Sequence, residues 1–364
     1  MKIATIVGAR PQFIKAAAVS RVLRARSGVD EALVHTGQHY DENMSEVFFR
    51  QLDIPVPSYD LGVGSGPHGR QTGQMLAGIE NVLLELQPDW VLVYGDTNST
   101  LAGALAAAKL GIPVAHVEAG LRSFNRRMAE EINRVAADHV SDLLFAPTPI
   151  AVENLRKEGI QGEAVHLVGD VMYDAAKFYM NQQSGSNVLE DLGLATEQFL
   201  LATVHRAETV DDPQQLRGVF AGLGKLADNL DVVLPLHPRT RKAAQRAGIL
   251  DSFPPRLKII DPVGYLDMLT LENAACLIVT DSGGVQKEAF FARVPCLTLR
   301  AETEWTELVD LGWNRLVAPA EFAAQARTVA EWIDSYSRQE PPDDLYGGGN
   351  ASGRICDILC TKKP

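Results

Sequence analysis

No stretch of this chain approaches the roughly 20 consecutive apolar residues of a membrane-spanning helix. Its hydrophobic content of 46% is therefore available for buried cores. Positive charge is also scarce: 34 Lys and Arg face 46 Asp and Glu, a net charge of −12. That balance excludes a general binder of nucleic acid or of anionic membranes, so any anion site must be a local positive pocket. Cysteine is rarer still, at 4 of 364 residues. Cys276 and Cys296 lie in apolar strand-like runs and predict buried, reduced thiols, while Cys356-x-x-x-Cys360 fits a helix more simply than a metal site. The apolar run within Met1-Lys-Ile-Ala-Thr-Ile-Val-Gly8 is too short for a signal peptide and leads into Arg10-Pro11, which predicts a strand and a cytoplasmic protein. Zinc-ligand spacing, a Gly-x-Ser-x-Gly elbow, a Walker loop and a full Gly-x-Gly-x-x-Gly fingerprint are all missing. Gly62-Val-Gly64-Ser-Gly66 does not replace the last of these, because no apolar strand runs into it and Pro67 follows.

What is present is a strand–helix rhythm. Ile3–Val7, Glu31–His35, Trp90–Tyr94, Val114–Val117 and Leu143–Ala146 read as strands, with helical patterns such as Leu101–Leu110 and Glu130–His139 between them. Phe199–Val204, Val232–Leu236, Leu257–Ile260, Leu277–Val279 and Cys296–Leu299 form a second series. Apolar runs alternating with amphipathic helices predict mostly parallel sheets covered on both faces, an α/β fold of doubly wound, Rossmann-like domains. The expected boundaries are 1–170, 171–345 and a C-terminal helical segment, 346–364, that packs back on the first domain; the polar stretch 181–187 reads as a loop or linker.

Ligands of open parallel sheets collect beyond the carboxyl ends of the strands, and there this sequence concentrates its polar residues. Gly8, Arg10 and Lys15 follow the first strand, Thr36-Gly-Gln-His39 the second, Gly95-Asp96-Thr-Asn-Ser-Thr100 the third and Glu118-Ala-Gly-Leu-Arg122 the fourth. In the second series His205-Arg206-x-Glu208 and His237-Pro-Arg239 follow strands. The pattern predicts one interdomain cleft lined with acids, bases and cations. Arg10 and Lys15 would place a guanidinium fork and a point charge beside an anion; a solvated helix start is the plainer reading. Asp96 could cap the next helix, although Thr97, Asn98 and Ser99 offer other caps. Glu118, between a buried strand and a glycine, needs a partner or a use, and Arg122 is the obvious structural partner. Glu130 and Arg134 share a helix face, as an exposed pair or as a third cleft carboxylate with its orienting cation. His205, with Arg206 and Glu208 beside it, fits anion or leaving-group chemistry. Val279-Thr-Asp-Ser-Gly-Gly-Val-Gln-Lys-Glu288 is the sharpest signal. A strand turning through glycines into a helix presents free N–H groups and a positive dipole end to phosphate, with Glu288 about one turn in to accept from sugar hydroxyls.

Gly8-Ala-Arg-Pro-Gln-Phe-Ile-Lys15, Gly37-Gln-His39, Tyr94-Gly-Asp-Thr-Asn-Ser-Thr100, His116-Val-Glu-Ala-Gly-Leu-Arg122, Glu130-Glu-Ile-Asn-Arg134, His205-Arg206 and Asp281-Ser-Gly-Gly-Val-Gln-Lys-Glu288 together resemble, in order, the non-hydrolysing UDP-N-acetylglucosamine 2-epimerases. The resemblance runs from Met1 to about Leu359. It implies the GT-B architecture, a UDP-sugar substrate, no metal or redox cofactor, and a homodimer. It also implies elimination of UDP through a 2-acetamidoglucal and re-addition after reprotonation at C2, in the supply of cell-surface polysaccharide precursors. Carried over by motif, Asp96, Glu118 and Glu130 are acid/base candidates, His205 aids departure of UDP, and Arg10 contacts its phosphates. Ser282, Gly283 and Gly284 hold the diphosphate and Glu288 the ribose. Lys15, Gln71 and Arg134 shape the sugar site, Arg206 contacts substrate, and Tyr265 lies towards the uracil.

Three departures qualify this expectation. Met128-Ala129 stands where the family often has proline before the paired glutamates. Gln38, His39, Arg70, Arg206 and His237 occupy motifs near a second, allosteric sugar-nucleotide site, but Asp41 replaces a frequent Gln there. Ala9-Arg-Pro-Gln-Phe-Ile-Lys15, Thr303-Glu-Trp-Thr-Glu307 and Tyr346-Gly-Gly-Gly-Asn-Ala-Ser352 resemble a branch that includes epimerases of UDP-2,3-diacetamido-2,3-dideoxyglucuronate, whose C6 carboxylate Arg126 and Arg127 could serve, a solvated loop being the equal alternative. The rival readings are a hydrolysing 2-epimerase, a GT-B glycosyltransferase and a sugar-nucleotide-binding regulator. Three candidate carboxylates argue for proton transfer at the sugar ring.

Overall fold

The computed structural model describes residues 1–38, 52–181, 186–250, 253–335, 342 and 345–362. The chain divides into two compact units, Met1–Phe178 with Pro342–Pro364, and Tyr179–Pro341.

The first unit is built on a parallel sheet of β1 (Lys2–Val7), β2 (Asp30–His35), β3 (Tyr59–Asp60), β4 (Trp90–Tyr94), β5 (Val114–Val117), β6 (Leu143–Ala146) and β7 (Val165–Leu167), in the order β3-β2-β1-β4-β5-β6-β7. Strand β4 reads Trp-Val-Leu-Val-Tyr and is buried at every position. Continuous apolar runs rather than alternation are what a sheet with helices on both faces requires. The edge strands β3 and β7 escape sequence reading because they are short and only partly buried, so they carry no apolar run. On one face the helices His68–Leu86 and Asn98–Lys109 pack over Ala4, Ile6, Val91 and Val93. The second of these is rich in alanine and lies close: a Cβ added at Gly103 would stand 3.1 Å from Val93 and 3.2 Å from Ile6. That close seat fixes the N-terminus of the helix just beyond β4.

The second unit repeats the plan with β8 (Phe199–Thr203), β9 (Asp231–Pro235), β10 (Leu257–Ile260), β11 (Leu277–Thr280), β12 (Cys296–Thr298) and β13 (Asn314–Leu316), all parallel, in the order β10-β9-β8-β11-β12-β13. Its strands feed two cores by period-two alternation. Leu200, Ala202, Val232, Leu234, Leu277 and Val279 join one, and Phe199, Leu201, Val233 and Ile278 the other. In each sheet the strand order reverses between the first strand and the fourth. Crossovers therefore leave on opposite faces and open a crevice at the carboxyl ends of β1 and β4, and of β8 and β11.

The terminal helix Ala351–Thr361 belongs to the first unit and packs on the helix Arg10–Arg24. Its N-terminus has no cap of its own; instead Asp174, 7% exposed, accepts the N–H groups of Ala351 at 3.0 Å and Ser352 at 2.6 Å. Burial raises the Asp174 carboxyl above its usual range, against those hydrogen bonds. Asp174→Ala strands two buried helix N–H groups and is expected to cost roughly 1–3 kcal/mol. Denaturant unfolding should show the loss, and limited proteolysis should cut first after Tyr346; an unchanged midpoint would remove this clasp from the fold's stability.

Candidate active site

In the first unit a buried glutamine sets the frame. Gln12, 1% exposed, accepts the N–H groups of Gly8 at 2.8 Å and Ala9 at 3.1 Å through Oε1. Its Nε2 donates to the carbonyl of Tyr94 at 2.9 Å and to Thr100 Oγ1 at 3.0 Å, pinning the turn after β1 to the end of β4. Gly8 fits this turn because Thr36 and Ser99 crowd it: an added Cβ would stand 2.0 Å from one hydroxyl and 2.2 Å from the other.

One turn into the helix from Arg10, Lys15 is 8% exposed and its Nζ meets Glu118 Oε2. The pair closes over Gly95, whose φ of +62° suits glycine and whose missing Cβ would lie 3.1 Å from Lys15 Nζ and 3.2 Å from Glu118 Oε2. Glu118 itself holds a left-handed φ of +72°. For a non-glycine residue that conformation costs roughly 1–3 kcal/mol and is characteristic of working sites. Arg122, the structural partner suggested by sequence for Glu118, serves elsewhere, on Asp138 and Glu158.

Thr97 caps the helix Asn98–Lys109, which leaves the Asp96 carboxylate available. Arg134 Nη2 meets it, and Arg134 Nη1 reaches Glu131 Oε2 at 3.2 Å. Glu131, 1% exposed, also gathers the loop before its helix: it accepts from Ser123 N at 2.9 Å, Ser123 Oγ at 3.0 Å and Phe124 N at 3.0 Å. Glu130 stands exposed at the start of that helix. Asn133 donates to the Asp96 carbonyl at 2.9 Å and to Asn98 at 3.1 Å, and Asn98 donates to Gln71 at 2.8 Å. Gln71 in turn donates to the carbonyl of Gly64 at 2.7 Å. Gln38 accepts from Ser99 N at 3.1 Å and Oγ at 2.8 Å, so it abuts the turn that carries Asp96. Arg10 is half-buried at its helix start, Arg70 is exposed, and His39 and Asp41 lie outside the described residues.

Behind these groups runs a buried polar chain. His116 directs Nε2 to the Gly95 carbonyl and Nδ1 to Asp138 Oδ1, both at 2.7 Å. Asp138 Oδ2 accepts from Gly120 N at 3.1 Å and pairs with Arg122 at 2.7 Å, and Arg122 forks onto Glu158 at 2.8 and 2.7 Å. Burial alone would raise Asp138, but the hydrogen bonds and positive fields of His116 and Arg122 outweigh it and hold the carboxyl below its usual range. The Arg122 hydrogen bonds likewise lower Glu158. Through this chain the segments carrying Gly95, Glu118 and Gly120 are tied to the helix that carries Arg134.

In the second unit β8 leads into His205 and Arg206, and β11 into Asp281 and Ser282. Ser282 Oγ accepts from Val285 N at 3.4 Å and caps the helix Gly283–Phe291. Gly283 has Glu304 against it, 2.6 Å from where a Cβ would lie, and Glu304 pairs with Arg300 at 2.9 Å. Glu288, 6% exposed, lies beside the Tyr265 hydroxyl; burial first, and then the Glu288 charge, push that phenol well above its ordinary range. Tyr265 is 3% exposed, edge-on to Tyr179, which places it as a support for Glu288. His205 is half-exposed with Nδ1 3.3 Å from Asp281, Arg206 lies 3.5 Å from Glu208, and His237 caps its own helix by accepting from Arg239 N at 3.2 Å.

Sequence reasoning missed Gln12, Glu131, Asn133, Asp138 and Asp281 as site-building residues. Each acts through a tertiary partner; Gln12, Glu131, Asn133 and Asp281 lay inside quoted motifs where they could have been singled out, and only Asp138 lay outside them.

The family model for UDP-N-acetylglucosamine 2-epimerase matches residues 21–360. The chain is 52% identical over 364 residues to the UDP-2,3-diacetamido-2,3-dideoxy-D-glucuronate 2-epimerase of Pseudomonas aeruginosa, covering 99% of each. Its fold is similar to the crystal structure of the Methanocaldococcus jannaschii UDP-GlcNAc 2-epimerase in complex with UDP-GlcNAc and UDP, with a TM-score of 0.90, 44% identity and 100% of both chains covered. The Neisseria meningitidis enzyme bound to UDP-GlcNAc gives a TM-score of 0.91 at 30% identity, again over 100% of both chains. The expected α/β fold of GT-B class holds.

Glu131 should matter through the groups it holds, Arg134 and the Ser123–Phe124 loop. Glu131→Ala frees Arg134 and the Ser123–Phe124 loop, so turnover is expected to fall roughly 10- to 100-fold, the lower part of the range for a misplaced acid or base. Affinity for UDP should hold within about twofold in calorimetry. Equal losses in both would show a damaged fold instead.

Proposed function

Because the chain belongs to the UDP-N-acetylglucosamine 2-epimerase family, we propose that it interconverts UDP-N-acetylglucosamine and UDP-N-acetylmannosamine at C2. The observation that carries this reading is the pair of cation-matched carboxylates at one turn: Glu118 on Lys15 and Asp96 on Arg134, with Gly95 between them. A sugar C2–H is not acidic enough for simple removal and return. A carboxylate takes the proton as the C1–O bond breaks, its electron pair leaving with UDP and a C1=C2 double bond forming. Protonation of C2 on the other face and re-addition of UDP at C1 complete the exchange. Two opposed faces need two acid/base groups, and Asp96 and Glu118 are the leading candidates; the exposed Glu130 remains a third.

The first unit is assigned the sugar chemistry, with Lys15, Gln71 and Arg134 shaping its site. The second is assigned the nucleotide: Arg206 and the N–H groups of Ser282, Gly283 and Gly284 for the diphosphate, Glu288 steadied by Tyr265 for the ribose. Arg10 on the first unit is assigned to phosphate and His205 to departure of the leaving group. Gln38, Arg70 and His237, with His39, are candidates for a regulatory nucleotide site. The enzyme is proposed to be a cytoplasmic homodimer, a state that sedimentation equilibrium tests directly. Its sugar product would feed cell-surface polysaccharide synthesis.

A second reading of the substrate is favoured by the 52% identity to the diacetamidoglucuronate enzyme. Arg126 and Arg127, both exposed in the loop clasped by Glu131, would then meet a C6 carboxylate. Proton NMR in heavy water with each nucleotide sugar decides. UDP-N-acetylmannosamine appearing with deuterium at C2 supports the first reading, and exchange only into the diacetamidoglucuronate nucleotide supports the second. Free N-acetylmannosamine would mean a hydrolysing enzyme. Silence with both, in a protein that binds UDP, would leave a transferase or a regulator. Asp96→Asn is expected to keep UDP affinity and lose turnover by roughly 10²- to 10⁴-fold, whereas Glu288→Ala should mainly weaken nucleotide binding; wild-type turnover in Asp96→Asn would take that residue out of the mechanism.

A further inference from the structure

Asp281 is the most deeply buried carboxylate of the second unit's switch point, at 0% exposure. It accepts the backbone N–H of His205 at 3.1 and 3.0 Å and of Arg206 at 3.0 Å. The His205 ring turns back on it, Nδ1 standing 3.3 Å from Oδ1. Among the described residues His205 is the only side chain that pairs with it. The backbone beneath is fixed from both strands: Asp281 N donates to Thr203 O at 3.3 Å, the Thr203 and Thr280 hydroxyls meet at 2.5 Å, and Ser282 N donates to Thr280 Oγ1 at 2.9 Å. A carboxylate with no exposure is tolerated only when its oxygens are satisfied, and here two backbone N–H groups do so, with the His205 ring nitrogen close by as an ion-pair contact.

We propose that Asp281 is a positioning residue that sets the tautomer and direction of His205. The inference rests on the reading of His205 as the group that assists departure of UDP. A carboxylate can only accept, so the 3.3 Å approach favours a ring that carries its proton on Nδ1 and leaves Nε2 free of this contact, on a side chain that is half-exposed. When the ring is protonated, the transferable proton is the one on Nε2. It passes to the diphosphate oxygen that receives the C1–O electron pair, and returns to Nε2 as UDP adds back, so the histidine ends as it began. The same carboxylate steadies the positive ring while the proton is on it, the division of labour known from nucleophile–histidine–carboxylate triads. Here the ring is half-exposed, so water competes for it and the effect is smaller than in a fully buried triad.

The bland alternative is that Asp281 only anchors the turn through its backbone hydrogen bonds, and a double-mutant cycle separates the two. Asp281→Asn keeps an acceptor for those N–H groups but reverses the donor offered to Nδ1. It is expected to lower kcat roughly 10- to 100-fold, towards the low end for acid–base groups, with KM and UDP affinity within about twofold. In a His205→Gln background the same change should cost nothing further. An equal loss in both backgrounds overturns the proposal and leaves the anchor. Wild-type turnover in His205→Gln alone would remove the role given to His205 and the inference with it, and is distinguishable because the cycle never reaches its second arm. Should Asp281→Asn fail to fold, 15N spectra of histidine-labelled wild type decide. A neutral His205 ring protonated at Nδ1 supports the proposal, and the opposite tautomer overturns it.

Discussion

The first unit depends on bringing a lysine and a glutamate together where little water reaches them. Lys15 and Glu118 are separated by most of three strand–helix repeats, and their side chains are 10% and 9% exposed. Moving either charge out of water alone would cost several kcal/mol. Each is therefore viable only if the fold delivers the other, and the sheet does so. β1 and β4 are neighbours, as are β4 and β5, so the residues that follow β1, β4 and β5 converge at one edge. Gly95 then has no Cβ to separate the partners, and Glu118 accepts a left-handed backbone to reach inward. The strain at Glu118 and the glycine at 95 are two parts of one solution.

How much of this was legible in the sequence follows from what kind of information each feature needs. Central strands announce themselves, because a strand buried on both faces must be apolar at successive positions, as Trp90–Tyr94 is. The edge strands Tyr59–Asp60, Val165–Leu167 and Asn314–Leu316 do not, since they need only a few backbone hydrogen bonds to their single neighbour. The site shows the same division. Residues at strand ends could be singled out one by one, because ligands collect there. Their pairings could not. Arg122 lies four residues from Glu118 yet serves Asp138 and Glu158, and the helix offers two adjacent glutamates of which Glu131 is the one drawn inward. Sequence distance carries no information about such choices; the crossing of helix and strand does.

The two units solve opposite electrostatic problems on one topological plan. The first concentrates side-chain charge of both signs around Gly95, which suits a reaction that moves a proton at carbon. The second offers backbone N–H groups at the helix start after β11, which suits a ligand that is already an anion. A chain with net charge −12 gains from that second device, because it makes an anion site without many cations. Glycines at 283 and 284 keep the approach open, and the close fit of Glu304 against Gly283 shows how little room a larger residue would have.

The proposed reaction couples acid–base chemistry at C2 to departure of a diphosphate at C1, and the loss of the C2 proton is not favourable without that departure. Such coupling requires preorganisation, and both units contain buried residues that fix the proposed reacting groups in place. Gln12 and His116 fix the turn bearing Asp96, Glu131 holds Arg134, and Asp281 holds the turn that carries His205, with the ring close by. Each is buried and satisfied on several sides, so its replacement would let a reacting group swing by fractions of an ångström without unfolding the chain. A reaction that requires proton transfer and bond cleavage together is more sensitive to such drift than either step would be by itself. That sensitivity explains why the polar residues of this chain cluster in depth behind the strand ends and do not stop at the surface that a ligand would meet.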